Sequence, residues 1–165
     1  MKEQRKRIAV LLNGPIHRDS RVIKTVRSLS KSMFVDLYYL GASAIDGEIF
    51  NENVGLFSYP SPKGVLNFLI RHTFFYREHL FLAEEVIRSG NHYHYVYAND
   101  LPCLLPGIKV KNVLGSALVY DSHEIYVETL NQFFPDRAPF HKQLMHRFSL
   151  FVMKASGRMA VEGVL

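Results

Sequence analysis

The chain has 165 residues, 48% hydrophobic and 21% charged, with a net charge of +5 and a single cysteine. This composition excludes a disordered tail or a collagen-like fibre and fits one globular domain able to bury its own core. Cys103 alone forms no internal disulfide and no cysteine zinc site, so a reducing compartment is expected, and the excess of Lys and Arg favours anionic partners.

The opening, MKEQRKRIAVLLNGP, has the basic start of a signal peptide. Its apolar run, Ile8 to Leu12, is shorter than the roughly 7–15 residues such a peptide needs, and Asn13-Gly14-Pro15 ends it. No apolar run reaches the length of about 18 residues that reads as a membrane-spanning helix. A cytoplasmic protein is the expectation.

RIAVLLN (7–13) is a β-rich run closed by a turn signal, which predicts a buried first strand. RDSRVIKTVRSLSKS follows with Val22, Ile23, Val26, Leu29 and Met33 at helical spacing, and Asp19 or Ser20 can cap it. FVDLYYLG (34–41) is a second strand. The polar stretch ASAIDGEIFNEN leads to a third near VGLFSYP. Residues 64–90 make a long helical segment, broken once near its middle at most. YHYVYAND is the next strand, and LPCLLPGIKVKNVLG a helix that kinks or restarts at Pro106-Gly107. SALVYD is a further strand, SHEIYVETLNQ opens a helix, Pro135 and Pro139 mark a loop, FHKQLMHRFSLFVMKAS is helical, and GRMAVEG reads as a last strand. His92 and His94, two apart in a strand, would share a face, but no third ligand accompanies them; no metal site is expected.

Strands alternating with helices predict an α/β fold, a single Rossmann-like domain whose mostly parallel sheet carries helices on both faces. In such sheets ligands bind beyond the carboxyl ends of the strands, where strand order reverses. Three loops fall there. NGPIHRDSR (13–21) offers Gly14 for close approach, helix amides, and Arg18, Arg21 and Lys24, a set that can hold a phosphate or a sugar hydroxyl. It lacks the glycine patterns of dinucleotide-binding and P-loop proteins, and a turn plus a capped helix with a solvated basic face is the favoured account of the Arg and Lys stripe. In YAND, Asp100 is placed to cap the next helix. In YDSHEIYVE (120–128), Asp121 as N-cap puts Glu124 at the third helical position, a capping box, and the helix dipole favours both Glu124 and Glu128. His123 is left over. It is exposed at the carboxyl edge, where positive potential keeps an imidazole neutral and able to hydrogen-bond a substrate.

Taken together, RDSRVIKTVRSLSKS, YVYANDLPCLLPG and above all ALVYDSHEIYVE resemble the N-terminal domain of family 4 glycosyltransferases, retaining enzymes of the GT-B fold. The likeness spans almost the whole chain, with the stretches in the same order. It implies two Rossmann-like domains facing across a cleft, the N-terminal one binding mainly a glycan or lipid-linked acceptor and the other a nucleotide-sugar donor, without a cofactor or metal. His123 matches the histidine near the donor sugar. Gly14 matches the small residue of the first loop, Asp100 and Glu124 match polar positions close to the cleft, and Asp19 and Arg21 match the first helix motif. The donor-binding domain, with its acidic donor motif, is not within residues 1–165, and the apolar ending VEGVL reads as a fragment or as one subunit of a pair. By this reading the chain transfers no sugar alone.

FLIRHTFFYREHLFL, within 64–90, combines aromatics with Arg71, His72, Arg77 and His79. It reads as a core-facing helix with a basic outer face, or as a helix lying on an anionic membrane at the inner face, which suits a lipid-linked acceptor. Nucleic acid is not an expected partner, because the basic residues are spread out and no helix-turn-helix or RNA-binding signature occurs. A non-catalytic Rossmann-like binding module, or an acceptor-binding subunit working with a separate donor-binding chain, is the competing class; sugar epimerases of the same layout are a third.

Overall fold

A computed structural model describes residues 5–41, 49–60 and 77–122. They form five strands, β1 (Arg7–Leu12), β2 (Phe34–Leu40), β3 (Val54–Tyr59), β4 (Tyr95–Asn99) and β5 (Ala117–Asp121). The helices are α1 (Ser20–Leu29), α2 (Arg77–Arg88) and α3 (Asp100–Leu114), with a short 3-10 turn at Ile16–Arg18. All strand pairs are parallel and the order is β3-β2-β1-β4-β5, a Rossmann-like α/β sheet. The sheet lies within Met1–Asp121, one of two compact units into which the chain divides. The expected helices after residue 122 and the last strand at GRMAVEG lie outside the described residues, as does 64–76 of the long helical segment.

Continuous apolar runs mark the inner strands because both faces are covered. In β1, Ile8, Val10 and Leu12 point to one side with Val35, Leu37 and Tyr39, where Val22 and Val26 of α1 pack on them. Ala9 and Leu11 point to the other with Tyr38, Val96 and Ala98, beneath Leu82, Ala83 and Val86 of α2 and Cys103 and Val110 of α3. The period of two along each strand and the 3–4 spacing along α1 thus divide the apolar residues between two layers. Burying each Val or Leu side chain contributes about 1.5–3 kcal/mol.

Local chemistry sets the helix boundaries. Asp19 caps α1, its Oδ1 accepting from the amides of Arg21 (3.1 Å) and Val22 (3.2 Å). Helix α3 runs unbroken from Asp100 to Leu114 with Pro106 inside it, where the sequence predicts a kink or restart. Its apolar residues are spread around the first turns, so contacts on several sides hold it through the lost backbone bond. Gly107 lets it sit close to the sheet: a Cβ there would meet Leu118 Cδ1 at 2.8 Å and Ala98 Cβ at 3.1 Å. Gly115, at φ +71°, ends α3 in the left-handed conformation.

One carboxylate interrupts the apolar β2. Asp36 is buried near the amino edge of the sheet, where its Oδ2 accepts from Arg7 Nη1 (2.8 Å), Tyr93 Oη (2.6 Å) and Asn91 Nδ2 (3.4 Å). Since Tyr93 donates to Asp36, the Tyr38 hydroxyl 2.9 Å away is placed to donate to Tyr93. The carboxylate holds the Arg7 guanidinium above its usual pKa, and burial together with the bond to Asp36 pushes the Tyr93 hydroxyl well above the tyrosine range. Nearby, His94 precedes β4 and accepts from the Arg7 amide through Nδ1 (3.3 Å), with its ring edge-on to His92. A backbone contact accounts for this histidine, and among the described residues no cluster of metal-ligating side chains occurs.

Candidate functional site

Strand order reverses between β1 and β4. The chain leaves β1 through α1 on one face of the sheet and leaves β4 through α3 on the other, so the two connections diverge and open a crevice at the carboxyl ends. The first two loops singled out in the sequence meet here. Gly14 directly follows β1 and has a φ of +147°, a conformation that favours glycine. A Cβ on it would meet nothing within 4 Å, so the backbone is exposed to approach on that side. Arg18 is exposed on the 3-10 turn and, among the described residues, has no side-chain partner.

Asp100 corrects one expectation. It does not cap the helix: Asn99 is the N-cap, without a side-chain cap bond, and Asp100 is the first residue of α3. Its φ of +59° makes it the one non-glycine residue with positive φ among the described residues. The left-handed region is costly for side chains with a Cβ, though Asp tolerates it better than most, and such strain concentrates at ligand sites. The backbone turn carries the Asp100 carboxylate toward α1, where Oδ2 lies 3.9 Å from Arg21 Nη2. Arg21 also approaches Asp19 Oδ1 through Nε at 3.4 Å. The first helix motif and the AND stretch are therefore joined across the switch point by an ion pair.

Two residues of this edge escape a reading of the sequence. Asn99 is buried, and its Nδ2 donates to the Leu11 carbonyl at 2.8 Å, which ties the ends of β1 and β4 together. An amide at the end of an apolar strand is the available signal, but its partner is 88 residues away. Tyr97 donates its hydroxyl to Asp121 Oδ2 at the end of β5. Burial, then this bond, raise the Tyr97 pKa to about 12. Asp121 stands opposite Asn99 in the strand register, so β4 and β5 end level with each other. Cys103 is buried beneath these ends beside the backbones of Asn13 and Asn99, and burial pushes its thiol pKa up, so it serves packing rather than nucleophilic chemistry.

His123 and Glu124 lie outside the described residues, two and three positions beyond Asp121. What the described edge offers is a set of hydrogen-bonding and charged groups held on strand ends: the Gly14 backbone, Arg18, the Arg21–Asp100 pair, Asn99 and Asp121. Such a set can bind hydroxyls and anionic groups of a polar ligand. No protein-family model matches the chain, and no curated protein matches it.

Proposed function

We propose that this chain is the acceptor-side domain of a retaining glycosyltransferase, acting on a glycan or lipid-linked acceptor with a nucleotide-sugar as donor. The observation that supports it best is the meeting of the NGPIHRDSR loop and the AND stretch at the switch point, joined by Arg21 and Asp100. Those two stretches, with YDSHE, carry the resemblance to family 4 glycosyltransferases. The Tyr97–Asp121 bond fixes the strand end from which YDSHE continues. On this reading the donor nucleotide and diphosphate are held by a facing domain, and His123 hydrogen-bonds the transferred sugar. As the glycosidic bond to the diphosphate lengthens, the sugar gains oxocarbenium character, and catalysis rests on positioning and charge stabilisation.

Replacement of His123 by Ala in the full-length enzyme tests this reading, with the sugar-transfer rate and melting temperature measured together. Loss of transfer at an unchanged melting temperature is expected. Transfer near the wild-type rate removes His123 from the reaction; absence of transfer by the wild type itself favours the second reading, a Rossmann-like binding module that uses the same strand-end groups without catalysis.

A further inference from the structure

We infer that the Asn13–Gly14 step is a site of spontaneous covalent modification, where the chain closes a succinimide and turns a neutral amide of the crevice loop into a carboxylate. The inference concerns the main chain itself and does not rest on sugar transfer. Of the eight asparagines in the sequence, Asn13 alone is followed by glycine. The pairing matters because the attacking atom is the amide nitrogen of the next residue. A side chain on that residue hinders its approach to the carboxamide, and glycine has none.

The reaction consumes one water and releases one ammonia. Gly14 N gives up its proton to a base in solvent and forms a bond to Asn13 Cγ. The Cγ–Nδ2 bond breaks, and the nitrogen leaves as ammonia after regaining a proton. Water then opens the ring at either carbonyl. Opening at Cγ yields aspartate; opening at the main-chain carbonyl yields isoaspartate, whose backbone runs through Cβ.

The fold leaves both reacting groups available. Gly14 follows β1 at φ +147°, and a Cβ on it would meet nothing within 4 Å. The pairing of β1 with β2 stops at Leu12. Among the described residues, the Gly14 amide donates no hydrogen bond and the partly exposed Asn13 carboxamide makes none. The other described asparagines are held. Asn51 and Asn53 donate to the Ser30 carbonyl, Asn91 to Asp36 and Tyr93, and the buried Asn99 to the Leu11 carbonyl. Asn112 is exposed, but it lies inside α3, where helical geometry fixes the next amide and the β-branched Val113 crowds it.

Either product adds a negative charge to the loop that carries Arg18 and Arg21, and isoaspartate also lengthens the backbone where it leaves β1. The crevice therefore loses attraction for anionic groups as the molecule ages.

The test is to incubate the whole chain, folded and in urea, in mildly acidic and mildly alkaline buffer. Peptide mass spectrometry and enzymatic methylation of isoaspartate then follow the tryptic peptide 8–18, in which Asn13 is the sole Asn or Asp. The folded chain is expected to convert at Asn13 roughly tenfold faster than at Asn51 or Asn112, because the nucleophile is already beside an unhindered carboxamide. Conversion should speed up at the alkaline pH, where more of the amide nitrogen is deprotonated. The corresponding peptide of Asn13→Gln, which must close a larger ring, is expected to stay unmodified with the melting temperature preserved. Conversion of Asn13 only in urea overturns the inference, as does a folded-state rate no higher than that of Asn51 or Asn112. Modification of the Asn13→Gln peptide at the wild-type rate also overturns it.

Discussion

At the amino edge of the sheet, Asp36 takes hydrogen bonds from Arg7, Tyr93 and Asn91 and is only 4% exposed. At the carboxyl edge, Asp100 lies 3.9 Å from Arg21 on a backbone with φ +59°. Both are aspartates near arginines, yet the first is enclosed by short bonds and the second sits on a left-handed turn with its arginine 3.9 Å away. An enclosed carboxylate with several donors binds parts of the fold to one another, and removing it strands buried partners. A widely spaced ion pair with an exposed arginine contributes little to stability, and a ligand can compete for it. The contrast sets a structural amino edge against the carboxyl edge proposed to bind ligand.

The largest effect is expected where the comparison is most one-sided. Asp36→Ala should cost about 3 kcal/mol, at the lower end for a broken buried pair because water can reach part of Arg7. Urea unfolding measures it, and a loss below about 1 kcal/mol would make the amino edge no more structural than a surface pair. At the other edge the sign should reverse. Asp100→Gly relieves a left-handed residue, and a gain of up to about 1 kcal/mol is expected, visible as a higher melting temperature, with weaker ligand binding. A clear loss of stability would place Asp100 with Asp36.

Tyr97 gives the finest test, because its pH dependence is confined to alkaline pH. Its pKa is raised to about 12, so folding favours the neutral hydroxyl; that contribution is full below about pH 10 and is lost as pH rises toward 12. The stability difference between wild type and Tyr97→Phe should therefore shrink across that interval. Tyr59 is raised in the same direction, chiefly by burial and next by its bond to Glu85, but is present in both proteins and drops out of the difference. A difference that stays constant from pH 9 to 12 would mean that the Tyr97 hydroxyl is not what holds Asp121.

How far the sequence reaches follows the range of each interaction. The strands at Arg7, Phe34 and Tyr95 and the Asp19 cap are readable because an apolar run or a cap and its amides lie within a few residues. Asp100 is misread as a cap because a local pattern carries no sign of the positive φ that turns it toward α1. Asp36 is visible as an oddity in FVDLYYL, but its donors come from Arg7 and from Tyr93, 57 residues later. Asn99 and Leu11 meet only because β1 and β4 are neighbours, which depends on the strand order rather than on either segment. The crevice is thus foreseeable as a place, while the contacts that build it come from pairing across the sheet.

Amide chemical-shift mapping of the chain, titrated with a panel of nucleotide-sugars and acceptor glycans, tests the division of the two edges most directly. The account predicts that a binding ligand shifts Asn13 to Arg21, Asn99 to Leu101 and Asp121 to Glu124, and leaves Arg7, Asp36 and Tyr93 in place. Shifts centred on Arg7, Asp36 and Tyr93, with the strand ends at Gly14 and Asp100 unmoved, would contradict it.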